Sequence, residues 1–427
     1  MIKLYNFDEL RPEEILNRDI RAEKNVEDVV DGIIAEVRAR GDEALKEYAL
    51  KFDGAKIDDL QVTQAEIDEA FANMDPYFLE TLREAAANIE SFHRQQVHKN
   101  FVINEKHGIV LGQKYTPIEK AGVYVPGGTA AYPSTVLMDV IPAKVAGVSE
   151  IVVMTTPAGK DGRVNPVILA AAATAGVTKI FKTGGAQAVA ALAYGTQTIP
   201  AVDKIVGPGN IYVATAKRKV FGKVGIDMIA GPSEILVLAD GGCNPAWVAA
   251  DLLSQAEHDK LASPVLVTDS PALARAVQAE LEVQIPQLPR AAIARASVDD
   301  NGKIIVCTDL HKAIEACNII APEHLEVCVE DPFGVLNEIK NAGSIFLGRN
   351  VPEALGDYFA GPNHTLPTSG TARFSSPLGV DDFVKKSSFL YYTREALGEV
   401  APRIADFAER EGLHAHAKSV TIRYEED

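Results

Sequence analysis

Glu323 and His324 stand side by side in the run Ala321-Pro322-Glu323-His324-Leu325-Glu326. A carboxylate next to an imidazole gives two groups that can move protons near neutral pH. The proline just before them predicts a helix start at this point, where free N–H groups and a positive dipole end face a ligand. Further pairs of ligand-type residues follow the same logic: Gln255 with His258, Asp357 with His364, and Glu411 with His416. Six of the nine histidines fall between positions 258 and 416, which places the chemistry in the second half of the chain.

Gln255 and His258 lie three apart in Asp251-Leu-Leu-Ser-Gln-Ala-Glu-His258, a stretch that reads as helix, so both side chains share a face. Asp357 supplies a hard oxygen and His416 a further imidazole. A nitrogen-and-oxygen set that includes a glutamine suits a zinc ion that holds a ligand rather than one that activates water. His364 sits in the loop Ala360-Gly-Pro-Asn-His364, and loops carry function more often than cores do. His414 alternates with His416 and competes with it for the same role.

These residues need a scaffold. The chain has 427 residues, 47% of them hydrophobic, enough for two cores. A formal charge of −17 argues against nucleic-acid and anionic-membrane partners. Cys243, Cys307, Cys317 and Cys328 form no C-x-x-C pair and read as buried free thiols in a reducing compartment. No apolar stretch is long enough to span a bilayer, and the N-terminus carries no signal-peptide core, so a cytoplasmic location is expected.

The first hundred residues show helical periodicity: Val26, Val30, Ile33 and Val37, then Leu45 and Tyr48, then Phe78, Leu82, Ala85 and Ile89. From about 108, short apolar runs alternate with helical stretches, which predicts βαβ units and parallel sheets. The runs include 123–125, 151–154, 204–206, 235–238, 265–268, 304–307 and 344–347. The expected fold is α/β, with two Rossmann-like domains of mostly parallel sheets, a small N-terminal helical arm and a C-terminal tail domain. The arm takes 1–22, one Rossmann-like domain takes 23–122 plus 235–378, the other 123–234, and the tail 379–427. The tail reads as helical, ending in a strand-like run over Ser419–Arg423.

Four small-residue turns, at Val125-Pro-Gly-Gly128, Thr183-Gly-Gly-Ala-Gln187, Val206-Gly-Pro-Gly-Asn210 and Ala230-Gly-Pro-Ser233, would let a ligand approach the backbone. None completes G-x-G-x-x-G or a P-loop, so a dinucleotide is one option among several small molecules.

Taken in order, Tyr124-Val-Pro-Gly-Gly128, Gly184-Gly-Ala-Gln187, Gly207-Pro-Gly-Asn210, Ala230-Gly-Pro-Ser233-Glu, Ser254-Gln-Ala-Glu-His258, Pro322-Glu-His324-Leu, Gly356-Asp357-Tyr and Asn363-His364 resemble the histidinol dehydrogenase family. The resemblance runs from about residue 25 to 423. It implies oxidation of L-histidinol to L-histidine through a bound aldehyde, with two NAD⁺ and one Zn²⁺ per subunit. By the same resemblance, His324 is the base of the first oxidation, and Glu323 with His324 handles water and protons in the second. Gln255, His258, Asp357 and His416 match zinc positions, where the metal also holds the substrate. Ser233, His364 and Glu411 match substrate contacts, as does His324. Tyr124, Gln187 and Asn210 match NAD contacts. A homodimer whose tails complete each other's sites is implied as well. Competing readings are a dehydrogenase of another small alcohol on this scaffold, a non-catalytic metabolite-binding protein and a zinc hydrolase.

Overall fold

The structure is a computed structural model that describes residues 1–10, 24–127, 131–177 and 179–425. The chain divides into two compact units, Met1–Gln96 with Ile118–Phe383, and Val97–Pro117 with Val384–Asp427. In chain order the strands are β1 (Lys3–Asn6), β2 (Phe101–Ile103), β3 (Ile109–Pro117), β4 (Lys120–Val125), β5 (Glu150–Thr155), β6 (Ile180–Lys182) and β7 (Lys204–Val206). They continue with β8 (Gly225–Ile226), β9 (Glu234–Ala239), β10 (Ser263–Thr268), β11 (Lys303–Val306), β12 (His324–Cys328), β13 (Ser344–Leu347) and β14 (Val384–Tyr392).

The larger unit holds two sheets, ordered β6-β5-β4-β7-β8 and β1-β11-β10-β9-β12-β13, with every strand pair parallel. Apart from the edge strand β1, both sheets wind alike: the first strand lies in the middle, its two successors to one side and the next two to the other. That is the winding of a Rossmann-like half, as expected. The order leaves a crevice at the carboxyl ends of the two middle strands, β4 and β7 in one sheet and β9 and β12 in the other.

Helices cover both faces of each sheet, so the strands read as near-continuous apolar runs. Along β9 the residues alternate between two cores. Ile235, Val237 and Ala239 meet the helix Pro245–Ala256, whereas Leu236 and Leu238 meet the helix Leu310–Ile320. Leu236 and Leu238 are fully buried, and truncating either to alanine costs about 3 kcal/mol. The helices Lys24–Arg40 and Pro76–Arg94 share their cores with Tyr124, Val152, Val123 and Val153. The N-terminal helices therefore build on the five-stranded sheet. This packing differs from the expected grouping of 23–122 with 235–378, because the apolar faces of these helices cover β4 and β5.

Three further expectations change. Lys3–Asn6 is no helical arm but a strand, added in register to β11; most of the 1–22 arm lies outside the described residues. Residues 384–392, read as helical, form β14, which pairs antiparallel with β3 along its length, from Val384 opposite Pro117 to Tyr392 opposite Ile109. Its run Ser-Ser-Phe-Leu-Tyr-Tyr favours a pleated surface over a helix. The C-terminal run at Ser419–Arg423 falls within the helix His414–Thr421 and a short 3₁₀ turn after it, because the alanines and Lys418 before it favour helix. With β2, β3 and the helix Arg394–Arg410, these elements make the second unit. Among the described residues, no helix is long and apolar enough to cross a membrane.

Candidate active site

The helix Leu310–Ile320 stops at Ala321, whose φ of 49° is left-handed and ends the helix. Pro322 follows, and β12 begins at His324. The proton-transfer pair thus opens a buried strand, where a helix start was expected. Leu325 and Val327 drive this, because both are fully buried between β9 and β13.

One neighbouring residue on β9 holds both members of the pair. The backbone N–H of Glu234 donates to Glu323 Oε2 at 2.8 Å, and the carbonyl oxygen of Glu234 lies 2.9 Å from His324 Nδ1. A carbonyl only accepts, so Nδ1 carries the proton and Nε2 is the ring's free face. Nε2 is buried without a hydrogen-bond partner and faces Glu353 Oε1 and Asp357 Oδ1, each 3.7 Å away. Glu353 and Asp357 lie one turn apart on the helix Glu353–Tyr358. Burial pushes the Glu323 carboxyl up to about 7, with the nearby His324 opposing. Burial pulls His324 down, but the carboxylates of Glu323, Asp357 and Glu353 outweigh it and raise it. Asp357 is held below the usual carboxylate range: burial would raise it, but the nearby imidazoles of His324 and His364 win.

Around this centre, Glu353 Oε2 accepts from Ser254 Oγ at 3.0 Å, and its backbone N–H donates to Glu326 Oε1 at 2.7 Å. Gln255, fully buried on the helix Pro245–Ala256, lies beside Glu353. His258 follows the end of that helix; burial lowers its pKa, and the charges of Asp357 and His324 reach it. His364 donates from Nδ1 to the Asp357 carbonyl at 3.1 Å, and its Nε2 lies 3.2 Å from Thr135 Oγ1. Ser233, Glu323 and His364 line one cavity of about 80 Å³ together with Gly207, Pro208 and Thr365.

The structure therefore gathers Glu323, His324, Gln255, His258, Asp357, His364 and Ser233 in one unit, at the amino edge of the six-stranded sheet. His324, Glu353 and Asp357 bring ligand atoms within 4.8 Å of one another. The carboxylates of Glu353, buried with its Oε1 unpartnered, and of Asp357, with Gln255 and His258 beside them, fit a divalent cation. Glu411 and His416 belong to the other compact unit, where Glu411 caps the helix Arg394–Arg410 and His416 lies in the last helix, both exposed. Glu353, Glu326 and Glu234 were missed in the sequence. Weak signals existed: Glu353 precedes Asp357 by four residues, Glu326 follows His324 by two on a strand, and Glu234 adjoins Ser233.

The candidate cofactor residues lie at the carboxyl edge of the other sheet. Tyr124, near the end of β4, is buried, and its hydroxyl accepts from the Gly185 N–H at 3.1 Å. A Cβ on Gly185 would stand 2.7 Å from Gln187 Oε1, so Tyr124 and Gln187 meet around that turn. Asn210 caps the helix Ile211–Val220 by accepting from the N–H groups of Tyr212 and Val213. Gly207, at φ +109°, follows β7 with no room for a side chain: its Cβ would meet the Tyr124 carbonyl at 2.1 Å. The fit to a dinucleotide is one of place, the crevice between β4 and β7. The equivalent crevice of the six-stranded sheet is closed. There Asp240 accepts from the Glu330 N–H at 2.8 Å, the Gly242 N–H at 2.9 Å and Arg349 Nη2 at 2.6 Å.

Comparison with known proteins agrees with this geometry. The family described as Histidinol dehydrogenase matches residues 16–424. A histidinol dehydrogenase of Listeria monocytogenes serovar 1/2a is 55% identical over 420 residues, 97% of this chain and 98% of the relative. One from Bacillus subtilis strain 168 is 58% identical over 394 residues, 92% of each chain. The crystal structure of histidinol dehydrogenase from Elizabethkingia anophelis superposes with a TM-score of 0.94 at 38% identity, covering 99% of this chain and 98% of that one.

Proposed function

This chain belongs to the histidinol dehydrogenase family, and from that premise we propose that it oxidises L-histidinol to L-histidine in two NAD⁺-dependent steps, the close of histidine biosynthesis. The observation that carries the reading is the pairing of Glu323 and His324 on Glu234. It leaves one imidazole nitrogen and one carboxyl of raised pKa facing the same buried centre.

NAD⁺, when bound, would accept hydride in each oxidation, and a zinc ion, when bound, would fix the substrate by coordination. His324 would take the hydroxyl proton at Nε2, the nitrogen not committed to Glu234, once a cation engages the carboxylates that raise its pKa. Glu323, whose carboxyl titrates near neutrality, serves with His324 to deprotonate the water that adds to the aldehyde. The burial of both groups keeps bulk water from the aldehyde between the two oxidations. Gln255, His258, Asp357 and His416 would hold the zinc. Ser233 and His364 line the substrate cavity, and Glu411 joins them. Tyr124, Gln187 and Asn210 hold the NAD side.

Since Glu411 and His416 lie on the tail unit, we read the working form as a homodimer in which each tail completes the neighbour's site. Four buried, unpaired cysteines go with a reducing cytoplasm. NADH formed per limiting L-histidinol tests the whole reading. Two NADH per substrate, abolished by chelator and restored by zinc, is the expected result; one NADH, or none, removes it.

A further inference from the structure

His364 stands in a stretch, 363–368, that has no regular secondary structure, so something else must hold its ring. The holder is one turn of the helix Pro133–Ala146, which belongs to the five-stranded sheet. Three hydrogen bonds cross from that turn to three consecutive loop residues. Thr135 Oγ1 meets His364 Nε2 at 3.2 Å, Asn363 Nδ2 donates to the Met138 carbonyl at 2.6 Å, and Thr365 Oγ1 donates to Asp139 Oδ1 at 2.7 Å. Positions 135, 138 and 139 share one helix face. A fourth bond, from the Thr365 N–H to Asn363 Oδ1 at 2.8 Å, stiffens the loop itself. Thr135, Met138, Asp139, Asn363 and Thr365 are all buried, so water does not compete for these bonds.

The bond from Thr135 also decides the chemistry of the ring. Nδ1 faces the Asp357 carbonyl, which only accepts, so Nδ1 must carry hydrogen. In the neutral ring Nε2 is then an acceptor, and the Thr135 hydroxyl is its donor. Both nitrogens are committed, which sets the tautomer and the ring plane against the cavity that His364 shares with Ser233 and Glu323.

We propose that Thr135 is a positioning residue for substrate binding: it acts through His364, and it makes a helix of the cofactor-side sheet part of substrate recognition. The proposal rests on the histidinol reading above for its substrate, but not for the ring geometry. A valine at 135 keeps the shape and removes the donor, a serine keeps the donor, and Thr365→Val weakens the loop without touching the ring.

With the full-length, zinc-loaded protein, Thr135→Val is expected to raise KM for L-histidinol by roughly fivefold to tenfold, as loss of one buried hydrogen bond predicts. KM for NAD⁺ and kcat should stay within about twofold, and Thr135→Ser should return KM to near the parent value. Thr365→Val should move KM for histidinol less than Thr135→Val does. An unchanged histidinol KM in folded Thr135→Val overturns the proposal, as does equal damage from Thr135→Ser.

A second readout needs no turnover. In ¹⁵N-histidine-labelled protein, with His364→Asn to assign the signal, His364 should show hydrogen on Nδ1, and Thr135→Val should keep that hydrogen but move the Nε2 resonance, the signature of its lost donor. The same spectrum in both proteins sinks the inference whatever the substrate proves to be. Failure of histidinol oxidation with the signature intact would instead remove the functional reading alone.

Discussion

Apart from β1, the two parallel sheets of the larger unit wind identically, yet the proposed function uses opposite edges of them. The five-stranded sheet offers its carboxyl edge, where Gly185 and Gln187 open the helix after β6 and Asn210 caps the helix after β7. The six-stranded sheet offers its amino edge, where Ser233, Glu323 and His324 stand at strand starts. Turns after strands present backbone N–H groups and room, which suits a large cofactor. Strand starts buried between neighbours present side chains whose partners are fixed by the ladder, which suits proton transfer. Winding alone thus does not say which edge of a sheet will work. What the edges carry does.

The largest effect that would break this division is at the amino edge. His324→Gln should cut turnover by about a thousandfold, while NAD⁺ binding followed by fluorescence stays near normal. Loss of NAD⁺ binding in that variant would mean that the edges do not act separately. Glu323→Gln should be milder and selective, lowering oxidation of the aldehyde by about a hundredfold and that of the alcohol less. Equal losses in single-turnover assays of the two steps would remove its water-activating role.

At the carboxyl edge, Asn210→Ala should raise KM for NAD⁺ severalfold with KM for histidinol unchanged. It should also cost about 1 kcal/mol of stability in urea, because two helix N–H groups lose their cap. A change in histidinol KM of the same size would blur the division.

The smallest effect concerns Asp139, on the helix that reaches from one sheet to the loop beside the other. Burial pushes its carboxyl up to about 8; the Thr365 hydroxyl and Lys217 oppose this, and Asp227 adds to it. The folded chain keeps a proton there that the unfolded chain releases near pH ~4. The stabilisation is therefore complete below that pH and is lost as pH rises through about 8. From this group, melting temperature should fall between about pH 4 and pH 8, and Asp139→Asn should flatten the fall. An identical slope in both proteins would show that Asp139 is already ionised when folded.

Much of this was legible in residue order, and what was not has physical causes. The alternation of short apolar runs with helices gave the α/β class, because parallel strands buried on both faces leave that texture. Glu323 and His324 stood out by type, but their setting was misjudged: Pro322 suggested a helix start, whereas the left-handed turn at Ala321 delivers the chain into β12. Asp357 was singled out and Glu353 was not, since a carboxylate four residues away on a helix is ordinary until the fold turns it inward. β14 was missed because its pairing partner, β3, lies far off in sequence, and pairing rather than local preference makes it a strand. Sheet order, and hence the choice of edges, is a property of long-range register that no local pattern records.

Asp240 stitches the unused crevice between β9 and β12 with bonds to two backbone N–H groups and to Arg349. One consequence is practical. The proposed function gives that edge no duty in the reaction, so changes there should register as thermal stability and leave kinetics alone. It is the natural place to attach a reporter dye or a surface tether, the far shore of a sheet whose other bank holds the proposed site.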